Sequence, residues 1–262
     1  MTTLDLGWAR LALLPSRAYS VNAASASPVI GLAFERQRGV HAIGGDRRQD
    51  FDAWPGDLAC TSAGLDIFSE SDHGGEYLTL HLVRPAGEVL GTDLAMPRPR
   101  SVRQGDRHAT LCGRQLRRLM LAPTPDTPGL AGELVAMLVA RAWPGERSER
   151  RGTRPLDRRA HGRVMSHIEE ALDGPLGLDE MARLAGMPLL RFLRSFTEAT
   201  GSTPHAYVTE RRLQRARALL RGTDEPLAAI AADCGFAHQS HLGSVMRRQL
   251  GLTPAQYRAQ GR

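Results

Sequence analysis

Between positions 76 and 83 the chain reads EYLTLHLV, with Leu78, Leu80 and Leu82 alternating against Tyr77, Thr79 and His81. A two-residue period of this kind puts every leucine on one face of a half-buried strand. Upstream, PVIGLAF, HAIGG, DLACTSAG and LDIFSES are further short apolar segments bounded by Gly, Pro, Asp and Ser clusters. Pro55-Gly56-Asp57, Ala63-Gly64 and Gly74-Gly75 supply turns between them. Several short strands at roughly ten-residue spacing predict a sandwich or barrel. We expect a small β-barrel over residues 18–95, of a size that can enclose one small ligand.

The period then lengthens. Residues 111–121, LCGRQLRRLML, and 130–143, LAGELVAMLVARAW, read as helices separated by the breaker APTPDTPG. Leu130, Leu134, Met137, Leu138 and Arg141 form a stripe at helical spacing, suited either to packing on the barrel or to self-association. The next stretch, PGERSERRGTRP, is rich in Arg, Gly and Pro and almost without apolar residues, so a linker is expected at 144–156. Beyond it Val164, Ile168 and Leu172 recur every four residues on one helix that stops at DGP.

A heptapeptide frame then occurs twice. GSTPHAY begins at Gly201 and GLTPAQY at Gly251, both Gly-x-Thr-Pro-x-x-Tyr. The repeat extends upstream, where Ala182-x-x-x-Gly186 matches Ala231-x-x-x-Gly235. Phe192 and Phe196 are expected as buried anchors in the first copy, Leu242 and Met246 in the second. Each copy is therefore two helices joined by a glycine turn, the helix-turn-helix pattern, at about 178–200 and 227–250. Pro204 should start a joining helix that runs to about Leu220, with Leu213, Ala216 and Leu220 inward. Seventeen residues at about 1.5 Å each span roughly 25 Å. With the lobe bodies added, the second helices can lie about one DNA turn apart, near 34 Å.

Charge sharpens this division. Residues 1–97 carry a formal net −5 and residues 98–262 a net +11, which together make the +6 of the whole chain. An acidic half joined to a basic one points to a polyanion partner for the latter. Hydrophobic residues make up 42% of the chain, as in globular proteins, and no apolar run is long enough to span a bilayer. The N-terminus reads as mature sequence with no signal peptide. Cys60, Cys112 and Cys234 are odd in number and far apart, which suits a reducing cytoplasm.

Catalytic chemistry finds little support. His41, His73, His81 and His108 lack the His-x-His pair with nearby Glu that a metal-dependent barrel enzyme needs. Neither a Gly-x-Ser-x-Gly elbow, a phosphate loop nor paired carboxylates stand out. No cofactor, metal or enzymatic activity is expected.

The stretches LDEMARLAGM, RFLRSFTEATGSTPHAY, RRLQRARALL, IAADCGFAHQSHL and RRQLGLTPAQYR resemble the DNA-binding domain of the AraC/XylS family of transcription regulators. The resemblance implies an α+β chain. A cupin-like effector or dimerisation barrel would occupy 1–110, helices 111–143, and an all-α DNA-binding domain 157–262. It also implies a cytoplasmic homodimer that binds double-stranded promoter DNA, contacts RNA polymerase, responds to a small-molecule effector and activates transcription. Base-facing positions would be Leu190, Arg191, Leu193 and Arg194 in the first lobe, and Gln239, Ser240, His241 and Ser244 in the second. Arg211, Arg212, Arg247 and Arg248 would meet phosphates. Leu190 and Leu193 stand where the family often has polar residues, which suits either contact with thymine methyl groups or a first lobe that relies on few direct contacts. Ser244 and Met246 stand where Arg and Phe are frequent, which removes a long donor from the second lobe. An architectural DNA binder without effector, or a cupin enzyme tethered to DNA, are the alternative readings.

Overall fold

A computed structural model describes residues 1–84, 88, 100–143 and 156–260. Nearly all of the linker expected at 144–156 therefore lies outside the described residues. The chain forms two compact units, Met1–Arg150 and Arg151–Arg262.

The first unit contains ten described strands, β1 Thr2–Asp5, β2 Ala9–Leu14, β3 Tyr19–Ser25, β4 Val29–Ala33, β5 Gln37–Ile43, β6 Gln49–Ala53, β7 Leu58–Thr61, β8 Leu65–Ser71, β9 Tyr77–Leu82 and β10 Arg100–Arg103. They pair in two sheets, ordered β1-β2-β9-β4-β7-β10 and β3-β8-β5-β6. The larger sheet carries the leucine face. Leu78, Leu80 and Leu82 are buried as their alternation requires, opposite Leu13, Leu11 and Ala9 of β2. On the other side of β9, Leu32 and Ile30 continue the layer. Turn glycines Gly56, Gly64 and Gly74 all have positive φ, at the positions read from the sequence.

The expected closed barrel is not found among the described residues. Two sheets with separate strand orders form instead, and the cupin assignment goes beyond what the strands establish. Helices take the place of closure over the leucine face. α1 (Arg107–Leu121) and α2 (Thr127–Ala142) pack together and over this sheet, so closely that Gly113 of α1 has no room for a side chain beside Leu32. Asp106 caps α1 through Ala109 N–H at 2.9 Å and binds Arg141 of α2 through both carboxylate oxygens. Burial opposes ionisation of Asp106, but these donors and the Arg141 charge prevail and hold its pKa below the usual carboxylate value. Beneath α1, Arg117 donates to Glu76 at 2.9 Å with both side chains buried, its guanidinium 5.0 Å from the Phe34 ring centre.

The apolar stripe expected along α2 is divided by this packing. Its buried side consists of Ala131, Val135, Leu138, Val139 and Ala142. Leu130 and Met137 remain 48% and 52% exposed, so packing on the sheet accounts for Leu138 but not for them.

The second unit is helical: α3 Arg158–Glu170, α4 Leu178–Ala185, α5 Leu189–Thr200, α6 Pro204–Gly222, α7 Leu227–Asp233, α8 Gln239–Leu250 and α9 Pro254–Gln260. Val164, Ile168 and Leu172 are buried, as their four-residue spacing requires. No helix among the described residues is long and apolar enough to cross a membrane.

Candidate nucleic-acid interface

Each lobe is built by the same local device. α4 ends at Gly186, whose φ of 66° is left-handed, and Met187 N–H returns to Ala182 O at 3.0 Å. α7 runs into Gly235 at φ 72°, and Phe236 N–H returns to Ala231 O at 2.9 Å. A carbonyl that accepts the amide just beyond a left-handed glycine is the usual way to end a helix abruptly. The alanine of the repeated Ala-x-x-x-Gly pattern supplies that carbonyl while staying small enough to be buried.

The repeated heptapeptide ends one helix and starts another in both lobes. Gly201 and Gly251, at φ 69° and 75°, close α5 and α8. Thr203 and Thr253 then cap the next helices, accepting from Ala206 N–H at 3.3 Å and Gln256 N–H at 3.2 Å. The proline occupies the first helical turn in both copies, where its missing N–H costs nothing. The tyrosines anchor α6 at two points. Tyr207 packs edge-on to Phe196 at 5.6 Å between ring centres, and Tyr257 accepts from Arg217 at 3.0 Å with Arg221 stacked over its ring.

With Phe192 and Phe196 fully buried, α5 must turn its other side to solvent. Leu190, Arg191 and Arg194 are exposed there, and Leu193 is half-buried. In α8, burial of Leu242, Val245, Met246 and Leu250 leaves Gln239, Ser240, His241, Ser244, Arg247 and Arg248 outward. His238, which stands outside the expected site residues, caps α8 by accepting His241 N–H at 3.1 Å on Nδ1. His241 also lies edge-on to Phe236 at 5.4 Å, which orders its ring. A histidine at this position, before Gln-Ser, is the available signal for a cap, since any side chain with an acceptor near its backbone can serve.

Two of the expected phosphate ligands are placed elsewhere. Arg211 forms a two-pronged pair with Glu169 of α3, at 2.6 and 3.0 Å, and also contacts Gln214. Arg212 donates to Leu172 O at 2.8 Å and Gly174 O at 2.7 Å. Both guanidinium groups bind α6 to α3 and the turn after it. In this structure they act as ties between α6 and its neighbours, and Arg211 keeps 20% of its side chain exposed. Arg247 and Arg248 stay exposed at the end of α8.

Two exposed helices, each the second of a glycine-jointed pair and mounted on one shared rod, define a double helix-turn-helix DNA-binding domain. A helix-turn-helix domain family matches residues 181–260. The regulatory protein SoxS of Escherichia coli K12 is 36% identical over 95 residues, covering 36% of this chain and 89% of SoxS. The HTH-type transcriptional regulator MtrA of Neisseria gonorrhoeae is 33% identical over 97 residues, 36% of this chain and 32% of MtrA. Of solved structures, the DNA-binding domain of AdpA in complex with a target DNA is 32% identical, covering 39% of this chain and 91% of that one with a TM-score of 0.37. The match thus spans about a third of MtrA and most of SoxS. The chain belongs to the AraC/XylS family and carries that family's helix-turn-helix domain.

Proposed function

We propose that this chain is a transcription regulator that binds promoter DNA by laying α5 and α8 into two successive major-groove segments, and that it activates transcription together with RNA polymerase. Leu190, Arg191, Leu193 and Arg194 read bases for the first lobe, and Gln239, Ser240, His241 and Ser244 for the second. Arg247 and Arg248 meet phosphates. The observation that carries this reading is the pair of outward helix faces, each held by buried anchors on its other side. Activation is supported by RhaS of Enterobacter, 33% identical over 99 residues and named a transcriptional activator. The exposed Leu130 and Met137 support a homodimer through α2, and the two-sheet unit is the candidate receiver of a small-molecule effector.

Arg194 decides the base-reading part. An arginine bonded to guanine contributes about 1–3 kcal/mol, so Arg194→Ala should weaken a specific fragment about fivefold to 150-fold in a gel-shift titration. Unchanged affinity would remove Arg194 from the readout. In transcription with purified polymerase, added regulator should raise transcript from the bound promoter. A fall would make it a repressor.

A further inference from the structure

The two reading helices are chemically unlike, although their frames are copies. The outward side of α8 begins with Gln239, Ser240, His241 and Ser244, all hydrogen-bonding side chains. The same side of α5 begins with Leu190, which is 73% exposed, against 38% for Leu178, the other exposed large apolar side chain described in this unit. Arg191 is its immediate neighbour, and Arg194 lies one helical turn further along the same face. Phe192 and Phe196 already anchor the helix, so Leu190 adds nothing to its burial. This aliphatic group, the most exposed large apolar side chain of the unit, is held in water beside two cations. It makes good sense beside a polyanion that also offers an apolar spot.

Duplex DNA offers one such spot in the major groove, the 5-methyl group of thymine. We infer that Leu190 is a thymine-methyl sensor, giving the first lobe a half-site in which a thymine adjoins guanines taken by Arg191 and Arg194, while the second lobe reads by hydrogen bonds alone. This rests on the major-groove reading proposed above and specifies what one helix recognises. The neighbouring arginines favour this occupant over an apolar protein surface, because they would have to be desolvated beside one.

The test uses the full chain and synthetic duplexes. Binding sites are first selected from a random duplex library. Each thymine of the selected site is then replaced singly by deoxyuridine, which removes the methyl group and keeps base pairing. One replacement should weaken wild-type binding about fourfold, the effect of one methyl group returned to water. Leu190→Ala, on an exposed position, should keep the wild-type circular dichroism spectrum and bind the parent site several-fold more weakly. It should be indifferent to that same uracil. The paired comparison cancels any change in duplex shape caused by the base itself. Wild-type protein insensitive to every uracil, or equal sensitivity in both proteins, overturns the sensor. A library that yields no shared sequence overturns specific reading as a whole, and the sensor with it.

Discussion

The two turn glycines look interchangeable in the sequence and are not so in the fold. Gly186 and Gly235 both have left-handed φ, so an added Cβ costs about 1–2 kcal/mol at either. Around Gly186 nothing lies within 4 Å of that Cβ. At Gly235 it would fall against Leu172 O, well inside contact distance, and 2.8 Å from Arg212 Nε. Those two atoms are themselves hydrogen-bonded at 2.8 Å, so making room breaks a charge-assisted bond worth about 1.5–3 kcal/mol. Forcing the backbones apart adds about 1–3 kcal/mol of overpacking. Gly186→Ala should therefore cost about 1–2 kcal/mol and Gly235→Ala about 4 or more. Residues 151–262 form a compact unit and correspond to most of SoxS, which makes this segment the sample of choice. Urea unfolding monitored by helical circular dichroism gives both values. Equal losses would refute the argument, since they would mean that conformation alone, and not the contact with the α3 turn, sets the cost.

Two other tests probe acid burial and the arginine ties. Burial lifts the pKa of Asp57 from 3.8 to about 6, against two N–H donors from Trp54 and Gly105. The folded state therefore favours the protonated acid, and this contribution is greatest below about pH 4 and fades as pH rises through about 6, by about 3 kcal/mol. Asp57→Asn should flatten that dependence. All three tryptophans, Trp8, Trp54 and Trp143, lie in the first unit, so their fluorescence during denaturation reports on it alone; an unchanged pH profile would contradict the assignment. In DNA binding, Arg247→Ala should reduce the slope of log affinity against log salt by about 0.9. Arg211→Ala should leave the slope alone and lower the melting temperature, and the reverse pattern would restore Arg211 as a phosphate ligand.

The helical unit is largely legible in the sequence because its signals are local and duplicated. Gly-x-Thr-Pro fixes a helix end, a cap and a helix start within four residues, and Phe192 with Phe196 fixes the buried side. What stays hidden depends on contacts between elements. Arg211 and Arg212 sit in an exposed-looking RRLQRAR run, and nothing nearby in sequence reveals Glu169 or the Leu172 carbonyl, forty residues earlier. In the first unit β8 and β9 are clear from their short apolar segments and bounding turns. β1 and β2 are not, since Ala12 and Leu14 occupy the positions alternating with Leu11 and Leu13 where polar residues would mark a strand, and the segment reads simply as an apolar patch. β10 is a four-residue strand with two arginines, held only by pairing with β7. The division of one expected barrel into two sheets is likewise a matter of which edges meet, and residue patterns constrain faces far better than edges.

The tyrosines of the two heptapeptides grip opposite ends of the same helix, Tyr207 near the start of α6 and Tyr257 near its finish. Such a doubly fastened strut cannot lengthen or twist to suit a target. One extra base pair between the segments would shift the second by about 3.4 Å and swing it by about 35° around the duplex. On the proposed two-groove reading, a chain built this way should tolerate changed letters in its target more readily than a changed distance between the two segments.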